Sequence, residues 1–287
     1  MPNTPFRFLD LDPAHSDPRT ARYVVLPIPF EGTVTYKTGT AGGPLAILQA
    51  SAQVELLDEE LHAEFHQAGV ATFPIIQPAA GPQEQASRVE IAARPLAADG
   101  KFVIGLGGEH GMTPPLVAAV AETHGELSVL QIDAHADLRD EYLGSKYNHA
   151  CVMARVLEIT PRIVQVGIRS FSDGERRAFP ELVENFVTPR AIAADPGWID
   201  RVVGRLGEKV YVTVDMDGFD PACAPGVGTP EPGGLDWWQV TGLLRRVCTE
   251  RTVVAADIAE TRPLGANHVT EFLAARLAYK IVAYTQL

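Results

Sequence analysis

Apolar runs and helix-spaced patterns alternate along the chain. Strand-like runs are expected at Tyr23–Ile28, Gly69–Phe73, Phe102–Leu106, Ser128–Asp133, Ile163–Ile168, Asn185–Thr188, Val210–Asp215 and Val253–Ile258. Several are apolar throughout rather than alternating, as strands covered on both faces are. Helical spacing is expected over Pro44–Glu60, Gln83–Ala98, Pro114–His124, Asp236–Cys248 and Thr270–Tyr284. Pro95 should end or kink the second of these, whereas the prolines after Thr113 suit a first helical turn. Strand alternating with helix predicts an α/β fold on a mostly parallel sheet. No linker, repeat or low-complexity segment interrupts the pattern, so residues 1–287 are expected to form a single domain.

Composition narrows the function classes. The formal charge of -12, from 36 acidic and 24 basic residues, argues against a nucleic-acid binder and is compatible with a cationic substrate. Cys151, Cys223 and Cys248 are odd in number and widely spaced, which fits neither a disulfide framework nor a cysteine zinc site. The N-terminus has no apolar core of a secretory signal, and no run approaches the ~18 apolar residues of a membrane span. A cytoplasmic protein without membrane or nucleic-acid partners is expected.

The chemistry concentrates where apolar runs end. Leu130-Gln131-Ile132 leads into Asp133-Ala134-His135-Ala136-Asp137. Gly107-Gly108-Glu109-His110 follows the third expected strand, and Asp215-Met216-Asp217 ends the seventh. In a parallel sheet all three clusters meet at the carboxyl edge, where α/β proteins carry their sites. The set is then four aspartates and two histidines, each costly to bury unless paired or bound to a cation. Oxygen-rich ligands with two imidazoles suit Mn²⁺ first, then Zn²⁺ or Fe²⁺. Six ligands exceed what one catalytic ion with an open position needs, and two ions sharing carboxylates account for them better. Two glycine-rich stretches, 32–44 and 225–234, are expected as loops on the same edge.

These motifs resemble the signatures of the ureohydrolase family of arginases and agmatinases. So do the stretch from Gly228-Thr229-Pro230 to Gly233-Gly234-Leu235, the Gly32–Pro44 loop, and Gln165-Val166-Gly167-Ile168-Arg169-Ser170, the last being nearer the agmatinase-like branch. The resemblance implies a three-layer α/β/α sandwich on an eight-stranded parallel sheet and two Mn²⁺ per chain. It makes Asp133 and Asp215 bridging ligands, with His110 and Asp137 completing one site and His135 and Asp217 the other. It further implies hydrolysis of the guanidinium group of agmatine to putrescine and urea, and a homo-oligomer, trimer or hexamer. Two positions depart from the family pattern: Ala150 follows His149 where glycine is usual, and Thr261-Arg262-Pro263 follows Glu260.

A dinuclear site answers water's weakness as a nucleophile, because two ions lower the pKa of water held between them. On the resemblance, Asp137 passes a proton to the departing amine, Glu260 grips the planar guanidinium, and His149 serves as a shuttle or polar contact at the leaving end. Competing expectations are arginase, guanidinobutyrase or formiminoglutamase activity, a non-catalytic metal-binding protein on the same fold, and a single-ion zinc deacetylase on a related one.

Overall fold

A computed structural model describes residues 6–287, and the first five residues of the stretch read for a secretory signal lie outside it. Seven parallel strands form the central sheet: β1 (Tyr23–Ile28), β2 (Val70–Thr72), β3 (Phe102–Gly107), β4 (Ser128–Ile132), β5 (Ile163–Val166), β6 (Lys209–Asp215) and β7 (Thr252–Ala259). Their spatial order is β2-β1-β3-β7-β6-β4-β5. The chain builds one half through β3, crosses to β4 and β5, and returns to fill the centre with β6 and β7.

Helices cover both faces. On one side α1 (Gly43–Ser51), α4 (Trp198–Arg205), α5 (Trp237–Glu250) and α6 (Val269–Tyr284) pack on Val25, Ile104, Leu130, Val212 and Ile258. On the other, α2 (Pro82–Ala98) and α3 (Thr113–His124) pack on Leu26, Val103, Val129 and Tyr211. Alternate residues of one strand therefore enter different cores, which is why the runs are apolar throughout. The result is the expected three-layer α/β/α architecture.

Three local expectations are revised. Asn185–Thr188 is not an eighth strand; only Val187 bridges, parallel to Val166. The helix Pro180–Glu184 before it and Pro189 after it leave no length for a ladder. The Pro44–Glu60 helix stops at Ser51, whose hydroxyl donates to Leu48 O and accepts from Leu9 N. Residues 57–64 turn back as a two-residue ladder, anchored by buried Lys280 against Asp58, Glu59 and Glu60. Pro95 does not end α2, because its missing N–H falls in the last turns beside solvent-exposed Ile91. No helix of the described residues is long and apolar enough to cross a membrane.

The sheet register positions the site. Leu106, Ile258, Val214 and Ile132 lie side by side across the four central strands. The residues that follow them therefore leave the sheet at one level.

Candidate dinuclear metal centre

Each of those four strand ends delivers a functional side chain: His110 after β3, Glu260 after β7, Asp215 and Asp217 at the end of β6, and Asp133, His135 and Asp137 after β4. An extended chain is not what gathers the last three. Asp133 Oδ1 accepts the His135 N–H at 2.6 Å, and Asp215 Oδ1 likewise accepts the Asp217 N–H at 2.8 Å. Each leading aspartate thus folds a tight turn on its own side chain. Asp137 then takes a left-handed backbone, φ 53°, and Glu260 does the same, φ 62°. Such conformations are uncommon outside glycine and gather where a site over-determines the chain.

His110 Nδ1 lies 3.2 Å from Asp133 Oδ2, 3.2 Å from Asp137 Oδ2 and 3.4 Å from Asp215 Oδ2. His135 Nδ1 lies 3.0 Å from Asp217 Oδ2 and 3.7 Å from Asp133 Oδ1. Two groups of ligand atoms result, His110/Asp133/Asp137 and Asp133/His135/Asp217, with Asp133 in both. The test of fit is His110 Nδ1, which is buried among three carboxylates yet makes no hydrogen bond. Donors that surround a point at roughly 3 Å from one another, without aiming at one another, have the spacing of neighbouring ligands on an ion bound at ~2.1 Å. The residues present therefore fit a pair of cations sharing Asp133.

Without cations the cluster stores protons. Burial first, and the charge of Asp133 second, push Asp137 up to about 7. Burial also pushes Glu260 up to about 8, against the hydrogen bond it accepts from His110 N. Burial pulls His135 down, but Asp217 and Asp133 override it and raise it to about 12. The folded chain thus holds protons that the unfolded chain, with ordinary values near ~4 and ~6.5, has released. Stability from a raised pKa is present at low pH and lost as pH rises: by about 7 for Asp137, by about 8 for Glu260, and progressively above ~6.5 for His135. His149, held down to about 4 chiefly by burial, contributes only below ~6.5, with opposite sign. The thermal midpoint of metal-free protein should therefore fall between about pH 6.5 and 8, and the stabilisation by added Mn²⁺ should grow over the same interval as metal replaces those protons. Calorimetry with and without chelator checks this; a metal-free midpoint rising across that window would contradict it.

Glu260 and His149 both line the cavity that opens over these ligands, about 290 Å³ in volume. A larger apolar hollow by Leu57, Trp237 and Phe272 is remote from the cluster. Glu260 Oε1 accepts the His110 N–H at 2.7 Å, and its Oε2 lies toward Gly228 in the cavity wall. His149 is held through Thr33, whose hydroxyl lies 3.0 Å from Nδ1 and accepts the His149 backbone N–H at 3.1 Å. Glu109 Oε2 fixes that loop by accepting the Gly32 and Thr33 N–H groups at 2.8 and 2.7 Å. The 32–44 loop is thus a wall of the site.

Several contributors have no expected role from sequence. Gln131 donates to Asp133 Oδ2 at 2.7 Å and is itself oriented by Gln165, at 2.6 Å. Glu175 accepts the Leu138 N–H at 3.0 Å, fixing the chain beyond Asp137. The signal available was a polar residue inside a doubly covered strand, as in Val-Leu-Gln131-Ile, Val-Gln165-Val and Val-Thr213-Val. Such a group needs a partner. Arg169, in the Gly-Ile-Arg-Ser stretch, donates to the carbonyls of Asp217, Pro232 and Glu231 at 2.8, 3.1 and 2.7 Å, stapling the Asp217 turn to the 225–234 loop. Arg169→Ala should destabilise the fold by about 2–3 kcal/mol, since carbonyls lose a charged donor; the denaturant midpoint measures it. The departure after Glu260 also has a structural use: Arg262 Nε donates to Thr38 O at 2.7 Å, tying the 32–44 loop to the segment that follows β7.

With the geometry in place, comparison with known proteins converges. The arginase family model matches residues 21–283. The N(1)-aminopropylagmatine ureohydrolase of Synechocystis sp. is 40% identical over 272 residues, 92% of this chain and 89% of that protein. The agmatinase of Pyrococcus horikoshii is 33% identical over 283 residues, 96% of each. Among solved structures, the agmatine ureohydrolase of Thermoplasma volcanium superposes with a TM-score of 0.87 at 34% identity, covering 95% of this chain and 92% of that one.

Proposed function

The chain belongs to the arginase family, and from that premise we propose that it releases urea from a linear guanidino-amine, N(1)-aminopropylagmatine ahead of agmatine itself. The motifs alone favour agmatine; the 40% identity to a relative named for the aminopropyl derivative moves the longer substrate first. We further propose that the whole chain is one catalytic domain, that it works as a homo-oligomer, and that it resides in a reducing cytoplasm, which suits its three free cysteines.

The single observation behind the chemistry is the convergence of six ligands and Glu260 at one level of the sheet edge. His110, Asp133, Asp137 and Asp215 would hold one Mn²⁺, and Asp133, His135, Asp215 and Asp217 the other, with Asp133 and Asp215 bridging. Bound there, the metals supply an acidified water and positive charge where oxygen charge develops. Glu260 accepts guanidinium N–H groups on Oε2, the oxygen His110 N leaves free, and sets the guanidinium carbon over the ligand cluster. The substrate's charge draws the Glu260 carboxyl, held to about 8 when alone, into its ionised form. Asp137 holds the proton taken from water and passes it to the amine nitrogen as the C–N bond breaks. His149, neutral at physiological pH because burial and the nearby His135 and His110 disfavour its charge, is the polar contact and relay at that end.

A second substrate class has its own observation. Lys37 and Arg139 line the cavity, each over an aromatic face, Tyr36 at 4.8 Å and Tyr142 at 4.8 Å. A rim with two cations would also accept the carboxylate of a guanidino acid. Urea release measured on N(1)-aminopropylagmatine, agmatine, 4-guanidinobutyrate and arginine in Mn²⁺-reconstituted protein separates the cases. The guanidino-amines should lead in kcat/KM. Faster turnover of 4-guanidinobutyrate would move the assignment to the acid, and faster turnover of arginine would sink it.

A further inference from the structure

His110 is the only ligand imidazole in the described residues whose far nitrogen is tied into a buried chain. Its Nε2 lies 2.8 Å from Thr213 Oγ1. Thr213 donates its one hydroxyl proton to Asp257 Oδ1 at 2.7 Å, and Tyr211 donates to Asp257 Oδ2 at 2.6 Å. Both Asp257 and Thr213 are fully buried. A hydroxyl carries one proton. Thr113 Oγ1 also lies 3.3 Å from the Thr213 hydroxyl. With the Thr213 proton on the shorter bond to Asp257, Thr213 accepts from its other neighbours, so Nε2 of His110 carries the hydrogen and Nδ1 is left to face Asp133, Asp137 and Asp215.

From this proton count we propose that Asp257 is a positioning residue for the metal centre, acting through Thr213 to fix the ring orientation and Nε2–H form of His110. The inference rests on the dinuclear assignment above. Neither residue lines the cavity over the ligands. His135 differs: its ring is part exposed, and no hydrogen bond to its Nε2 is found among the described residues. The arrangement therefore acts on one site of the two. β6 and β7 are adjacent and in register at Thr213 and Asp257, so the relay is built across a single strand pair. Asp257 is also the third residue before Glu260, so the strand that ends in the guanidinium grip carries the support for His110 within it.

The test is Mn²⁺ titration of the full chain, followed by the electron paramagnetic resonance signal of free Mn²⁺. Wild-type protein should take up two ions. Asp257→Asn and Thr213→Val are near-isosteric; each should weaken one ion by roughly 10–100-fold and leave the other within a few-fold. Thr213→Ser keeps the hydroxyl and should restore both. Loss of one ion with rescue by serine is not what general loosening of the fold would give. Wild-type affinity for both ions in Asp257→Asn and Thr213→Val would overturn the proposal, as would a serine variant no better than valine. The relay is also read without metal, from a slowly exchanging Nε2-bound proton of His110 in the nuclear magnetic resonance spectrum of wild-type protein that is lost in Thr213→Val. Uptake of fewer than two ions by wild type while that proton is present would overturn the dinuclear assignment and leave the relay standing; absence of the proton in wild type would overturn the relay.

Discussion

Glu260→Gln should lower kcat/KM for the guanidino substrate by roughly 10²–10³-fold while leaving metal content intact. Removing one partner of a buried, hydrogen-bonded charge pair costs about 2–5 kcal/mol, and ~1.4 kcal/mol is tenfold in rate. The geometry sharpens the expectation. Oε1 is already engaged by His110 N at 2.7 Å, so the substrate depends on Oε2 on the cavity side. Glutamine keeps the size but loses the charge. If its amide oxygen stays on His110 N, it meets the guanidinium N–H groups with an N–H of its own. Steady-state kinetics beside metal analysis checks this. A change below threefold would remove Glu260 from substrate binding, and loss of metal would reassign it to the ligand shell.

Asp133→Ala should abolish turnover, by at least about 10³-fold, and strip both ions rather than one. Asp133 is the one residue common to both groups of ligand atoms. It also shapes its surroundings: its Oδ1 closes the turn at His135 and its Oδ2 receives Gln131. Alanine leaves the Gln131 amide with only its 3.3 Å bond to His135 O and removes the charge that helps keep Asp137 protonated to about 7. Asp133→Asn separates these effects, since it can keep the turn but not the charge. Metal uptake near two ions per chain in the alanine variant, or near-full activity, would refute the bridging role.

The convergence of the candidate ligands was readable because each lies at, or within a few residues of, the end of an apolar run that alternation with helical patterns marks as a strand. Once β3, β4 and β6 are parallel, His110, Asp133 and Asp215 have one place to meet. Glu260 is legible on the same logic. The supporting residues were not, because their partners come from distant loops. Glu109 sits beside His110 in sequence, but its task is to hold Gly32 and Thr33, some 76 residues away. Thr213, Gln131 and Asp257 were visible as polar interruptions of apolar strands, yet which group each one satisfies depends on neighbours set by the β7-β6-β4 order. The misread segments have a different cause. Asn185–Thr188 has strand composition, but the short helices on either side leave it room for a single bridge. Pro44–Glu60 keeps helical spacing past Ser51, but tertiary contacts to Leu9 and Lys280 take the chain elsewhere.

On the roles proposed for Asp137 and Glu260, their left-handed backbone sets thermal tolerance against turnover. Holding a non-glycine residue in that region costs about 1–2 kcal/mol, and both side chains are also buried acids in the metal-free state. A library screened only for survival of heating in chelator would drift toward glycine at 137 and 260. Its hardiest members would be the ones that had given up hydrolysis.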